Sequence, residues 1–142
     1  MTAERPLRWP GDGACLAARN VRTNRLLAGR ARVAATRRTR RAGLLGRREL
    51  PPGEGLWIAP SRGVHTWGMR FAIDVIALDD RGRVVDLAPN LGPWRVRLPR
   101  AGCLGVLELP PGTIAHSGTQ LGDSIVFEKA QDDSNLTGGR AA

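Results

Sequence analysis

Tyrosine is absent from this chain of 142 residues, lysine occurs once, at Lys129, and aromatic residues make up only 4% of it. Its cations are therefore almost all arginine. With its abundant Ala, Gly and Pro, this composition reads as the codon bias of a G+C-rich genome and speaks to ancestry, not activity. No apolar run approaches the roughly 20 residues of a membrane-spanning helix, and Met1 to Pro6 has no apolar stretch behind it of the kind a secretory leader carries. The expectation is a cytoplasmic protein without a membrane span. Cys15 and Cys103 are far apart and in no metal-type spacing, which excludes a disulfide framework and leaves two small, buried apolar side chains. Only two histidines occur, His65 and His116; with the cysteines they give no pair at the close spacing of zinc sites, so no metal and no cofactor is expected.

What is present fits one ordinary globular domain: 42% hydrophobic residues, 25% charged, and too short a chain for two cores. A domain over residues 13–129 is expected between flexible tails at 1–12 and 130–142, as a monomer. The net charge of +9 is clustered. Residues 1–50 hold 13 Arg and three acids, net +10, whereas residues 51–142 hold eight Arg, one Lys and ten acids, net −1.

Short apolar stretches punctuated by Gly and Pro predict strands over 15–21, 27–35, 56–60, 83–88, 94–98, 103–109 and 124–128. Thr36 is placed to cap a short helix stopped by Gly43, and residues 113–117 form one further helical turn closed by Gly118. Asp80-Arg81-Gly82 suits a three-residue hairpin loop with Gly82 at its positive-φ position. If residues 65–78 stay extended, His65, Trp67, Met69, Phe71, Ile73, Val75 and Ala77 share one face, and Thr66, Arg70, Asp74, Ile76 and Leu78 the other; Gly68 is a candidate bulge. Without repeated strand–helix alternation, the fold class is mainly β: a small antiparallel barrel or sandwich with one short helix and one extra helical turn.

The segments Glu54-Gly55-Leu56-Trp57-Ile58 and His65-Thr66-Trp67-Gly68-Met69-Arg70-Phe71-Ala72-Ile73-Asp74-Val75 resemble domain-of-unknown-function family 192. The likeness continues upstream through Thr36, Arg40, Gly43-Leu44-Leu45 and Arg47. Downstream it takes in Gly82-Arg83-Val84-Val85, Pro93-Trp94, Val106-Leu107-Glu108-Leu109, Gly112-Thr113 and Gly122-Asp123. Three positions depart from the family pattern: Ala72 replaces a usual Pro, Ser61 a Cys of the nearest subgroup, and Thr39 a Glu in the short helix. The resemblance implies a compact, mainly β fold and no established reaction, and the missing Cys argues against thiol chemistry at position 61.

Among residues that could carry chemistry, Asp74 stands out as an acid sharing a strand face with Ile76 and Leu78. A buried carboxylate needs partners. The preferred reading gives it backbone N–H groups or Arg70 and a structural role; the alternative makes His65, Thr66, Trp67, Met69, Arg70 and Asp74 a ligand-binding opening. Trp57, Trp67, Met69 and Trp94 are read as core rather than as an aromatic cage. Arg37, Arg38, Arg40 and Arg41 form a candidate anion-binding stripe within the Arg-rich residues 30–48, the alternative site for a nucleic acid or other anionic partner, but no aromatics are interleaved with them, so a solvated face is favoured. Ser61 lies near His65 without a nucleophile-elbow pattern, so no catalytic residue is assigned and a hydrolase using His65 is the weakest reading. The expectation is a non-catalytic binding or accessory module acting on a protein or small molecule through residues 61–74.

Overall fold

The structure is a computed structural model describing residues 5–98 and 102–130. The expected C-terminal tail beyond residue 130 lies outside the described residues. In chain order the elements are β1 (Cys15–Asn20), β2 (Leu26–Ala34), α1 (Arg37–Ala42), β3 (Glu54–Ile58), β4 (Val64–His65) and β5 (Ile73–Leu78). They continue with β6 (Val84–Leu91), β7 (Val96–Arg97), β8 (Gly105–Leu109), α2 (Thr113–Ser117) and β9 (Ile125–Lys129). Seven strands form one sheet in the order β6-β5-β8-β3-β2-β1-β9, and β4 pairs with β7 in a small second sheet.

The large sheet is antiparallel except between β2 and β3, which run parallel from Arg30 opposite Glu54 to Ala34 opposite Ile58. Parallel neighbours require a crossover connection. Residues 35–53, with α1, supply it and lie over one face of the sheet. The outer strands come together at one end through an Arg83–Ser124 bridge, with the Ile125 N–H donating to the Gly82 carbonyl at 2.8 Å. The result is a curled half-barrel, mainly β, with two short helices.

Both faces of the central strands are buried, and their side chains alternate between two cores. The interior core collects Leu16, Val33, Trp57, Ile76, Leu107 and Ile125 among others. The outer core sets Leu56, Ile58, Ile73, Val75, Ala77 and Val106 against Leu44, Leu50, Val64 and Met69 from the crossover and the 64–72 segment. Within β5 the expected alternation therefore holds.

It fails upstream of β5. Residues 66–72 are not extended, because Gly68 takes φ 79° and the Met69 N–H closes a turn onto the Thr66 carbonyl at 3.1 Å. The half-buried strand expected over 94–98 is reduced to the two exposed residues of β7, since Trp94 adopts φ 62° and donates its N–H to the Thr66 carbonyl. Within the expected N-terminal tail, residues 5–12 contact the sheet: the Leu7 N–H donates to the Asp80 carbonyl at 2.7 Å, and Trp9 packs edge-on to Trp57 with ring centroids 5.7 Å apart.

Candidate functional site

Thr36 starts α1 by accepting the Thr39 N–H at 3.1 Å, while the Thr39 hydroxyl accepts the Thr36 N–H, so threonine performs the reciprocal capping often done by Glu. Asp12 reinforces this end, accepting from the Ala35 N–H at 2.7 Å and from the Thr39 hydroxyl, and these bonds hold its carboxyl below the usual carboxylate range. Gly43 ends the helix, and Leu44 drops into the outer core. Across from it, the chain leaving β3 turns at Ser61, whose hydroxyl donates to the Gly63 carbonyl at 2.7 Å, and reaches β4. Arg40 ties the two walls together, its guanidinium donating to the Pro60 carbonyl at 2.8 Å and to the Thr36 carbonyl at 3.3 Å.

Between these walls lies a cleft of about 540 Å³. Its sides are apolar, from Leu44, Leu45, Ile58, Val64 and Met69; its polar lining includes Arg40, Arg41, Arg62 and His65; and Glu108 of β8 also lines it. Glu108 sits opposite Leu56 on one side and Val75 on the other, so its side chain enters the outer core on the same face as Val106. It is only 3% exposed, and its Oε2 has no hydrogen-bond partner among the described residues. Burial pushes its pKa up to about 8, which keeps the carboxyl neutral at pH 7. Among the described residues, Glu108 is the only acid lining the cleft.

Only part of the sequence-derived site converges here. His65 and Met69 line the cleft, as do Arg40 and Arg41 of the basic stripe, whereas Arg37 and Arg38 face solvent. Thr66 is fully buried and bonds elsewhere: its hydroxyl donates to the Gly92 carbonyl at 2.6 Å and accepts the Arg95 N–H at 2.9 Å, clamping the 66–69 turn to the 92–95 segment. Asp74 points to the interior side, where one carboxylate oxygen accepts the Asn90 N–H and the other the Ile114 N–H, each at 2.8 Å. These are the backbone N–H partners of the preferred, structural reading of Asp74. It caps the first turn of α2, whose N-cap, Gly112, has no side chain to do so. Arg70 is exposed and makes no ion pair with Asp74.

The tryptophans divide. Trp57 is core, but Trp67 and Trp94 are 54% and 70% exposed, contrary to the core expected of them, because the turn at Gly68 and the left-handed Trp94 turn both indoles outward. The His65 ring lies against Trp67 with centroids 5.5 Å apart and has no hydrogen-bond partner among the described residues. Cys103 is half-buried, its thiol donating to the Ser61 carbonyl at 3.3 Å, and desolvation raises its pKa. Sequence reasoning missed Glu108 as a site residue. Its signal was a single acid between Leu107 and Leu109, sharing the face of Val106, in a strand buried on both sides.

These features define a small half-barrel domain with a mixed apolar and arginine-lined cleft on the outer face of its sheet. The chain belongs to domain-of-unknown-function family 192, Uncharacterized ACR, whose model matches residues 19–127. It is 36% identical over 73 residues to a UPF0127 protein of Thermococcus sibiricus, covering 51% of this chain and 47% of that one. To a UPF0127 protein of Pyrococcus horikoshii it is 39% identical over 62 residues, covering 44% and 53%. The chain spans about half the length of the curated relatives it matches. Among solved structures, a protein of unknown function from Novosphingobium aromaticivorans superposes with a TM-score of 0.68 at 26% identity, covering 87% of this chain and 93% of that one. A Sinorhizobium meliloti protein, provisionally described as a transcription regulator, superposes with a TM-score of 0.71 at 19% identity, covering 84% and 98%, a likeness of fold. No helix among the described residues is long and apolar enough to cross a membrane.

Proposed function

We propose that this domain is a non-catalytic binding module whose small-molecule ligand seats in the cleft between residues 40–45 and 58–69. The observation that carries this reading is the unpartnered Oε2 of Glu108, buried in an otherwise apolar wall. A native polar atom without a partner is costly to bury, and a bound group that hydrogen-bonds to it relieves that cost. The cleft volume falls within the range of small-molecule sites, and its few polar groups amid aliphatic walls match their make-up. A fragment library screened by amide chemical-shift mapping tests the reading. Shifts confined to residues 40–45, 58–69 and Glu108 are expected; a library that moves none of these amides, or clusters on another surface, sinks it.

A second reading, nucleic-acid binding, is favoured by exposed Trp67 and Trp94 near Arg70 and Arg95, which together supply the stacking surfaces and cations that single strands require. The provisional description of the Sinorhizobium relative is compatible with it. This reading expects retention on immobilised oligonucleotide at low salt and an affinity that falls steeply as salt rises. Absence of retention at low salt disposes of it.

A further inference from the structure

The cleft carries more information than its existence, because its charges are distributed by depth and sign. Arg40, Arg41 and Arg62 contribute three cations to the lining, two of them on exposed residues, and the only acid among the described residues is Glu108, withdrawn into the outer core. Arg40 is fixed in place by its bonds to Pro60 and Thr36, so at least one guanidinium is positioned before anything binds. Between the exposed arginines and the buried carboxyl, the walls are Leu44, Ile58, Val64 and Met69, which offer no hydrogen bonds to a ligand except through backbone.

Resting on the reading of this cleft as a ligand site, we infer that it takes an amphiphilic organic acid: an anionic head at the arginines, an aliphatic body along the walls, and a hydroxyl at its far end meeting Glu108. A cationic ligand is disfavoured by the exposed arginines it would have to pass. A purely apolar acid fills the walls but leaves Oε2 without a partner. A hydroxyl both donates and accepts, so it satisfies the carboxyl oxygen whether that atom carries the proton or not.

Isothermal titration calorimetry of the full chain at pH 7 with four ten-carbon probes decides the matter. 10-Hydroxydecanoate binds tightest, decanoate about tenfold more weakly for want of one well-buried hydrogen bond, and decan-1-ol and decylamine more weakly still. In Glu108→Leu the advantage of the hydroxyl disappears while decanoate still binds, and Glu108→Gln, which keeps a hydrogen-bonding end, restores part of it. The double variant Arg41→Ala/Arg62→Ala weakens both acids about tenfold or more and leaves the alcohol unchanged. Decylamine or decan-1-ol binding as well as the acids, or no probe binding at all, overturns the assignment of ligand class. Fragments that map to the cleft in the same protein then leave the ligand-site reading standing, and fragments that do not map there remove both.

Discussion

Glu108 places a carboxyl where Leu56 and Val75 flank it and Oε2 meets no donor, so its neutral form is the one the fold tolerates. Its pKa rises from the ordinary 4.5 to about 8 on folding, by desolvation. An acid raised in this way binds its proton more tightly in the native than in the unfolded chain. The associated stability is complete below about pH 4.5 and is lost progressively as pH rises towards 8. Thermal melts between pH 5 and pH 8.5 should therefore show a falling midpoint that Glu108→Gln flattens. An unchanged slope in the variant would show that the carboxyl ionises freely in the native state. At pH 7, Glu108→Leu should gain about 1–3 kcal/mol in denaturant unfolding, since an apolar side chain removes the unpaired atom. Three positions back along β8, Gly105 has the opposite constraint. A Cβ there would lie 2.5 Å from the Trp57 ring and 2.8 Å from the Ile58 carbonyl oxygen, both in the packed interior of the sheet. Gly105→Ala is expected to cost about 1–3 kcal/mol, the usual range for overpacking a core; a loss below about 0.5 kcal/mol, too small for such a clash, would mean that the indole has room to move.

At the scale of elements, α2 has five residues and a glycine N-cap, so little in its own sequence holds its first turn. Asp74 supplies the missing acceptor from β5 and at the same time fixes Asn90, which sits at φ 51° in β6. One carboxylate thus joins a helix to two strands. Removing it in Asp74→Ala strands two backbone donors and should cost about 3 kcal/mol, with hydrogen-exchange protection lost first at Ile114 and its neighbours. Asp74→Asn keeps one acceptor oxygen but sets its amide NH2 against the second backbone N–H, so it should recover only part of the loss. A loss below about 0.5 kcal/mol in Asp74→Ala, too small for two stranded donors, would show that water satisfies the Asn90 and Ile114 N–H groups in its place. The elements themselves were legible wherever their limits are set by local chemistry. Thr36 and Gly43 bracket α1, Gly82 at φ 83° turns the β5–β6 hairpin, and Gly118 closes α2, as the residue types predict. The exposure of Trp67 and Trp94 was not legible, because it depends on Thr66 bonding a segment 26 to 29 positions away.

The whole molecule shows the same division between local and distant causes. Alternation along single strands pointed to a mainly β, barrel-like sheet, but it carries no information about partners, so the parallel β2–β3 pairing was hidden. That pairing sends residues 35–53 across the outer face and thereby creates one wall of the cleft. Half of the candidate site follows from it: Arg40 and Arg41 meet His65 and Met69 there, and Glu108 joins them from a strand far along the chain. The N-terminal segment contributes to the interior core in the same way. Leu7 and Trp9 pack against that core, with Trp9 on the edge of Trp57, whose ring also meets Phe127 of β9 at 5.1 Å. The inner face of the half-barrel is therefore completed by residues that composition alone assigns to a tail. Trp9→Ala should lower stability by about 2 kcal/mol through lost apolar burial and one edge-to-face ring contact. Deleting residues 1–10 should cost at least as much and quench or red-shift the emission of Trp57 by admitting water to its ring. Full stability in the deletion variant, with Trp57 emission unchanged, would mean that the half-barrel closes over its own interior without this strap.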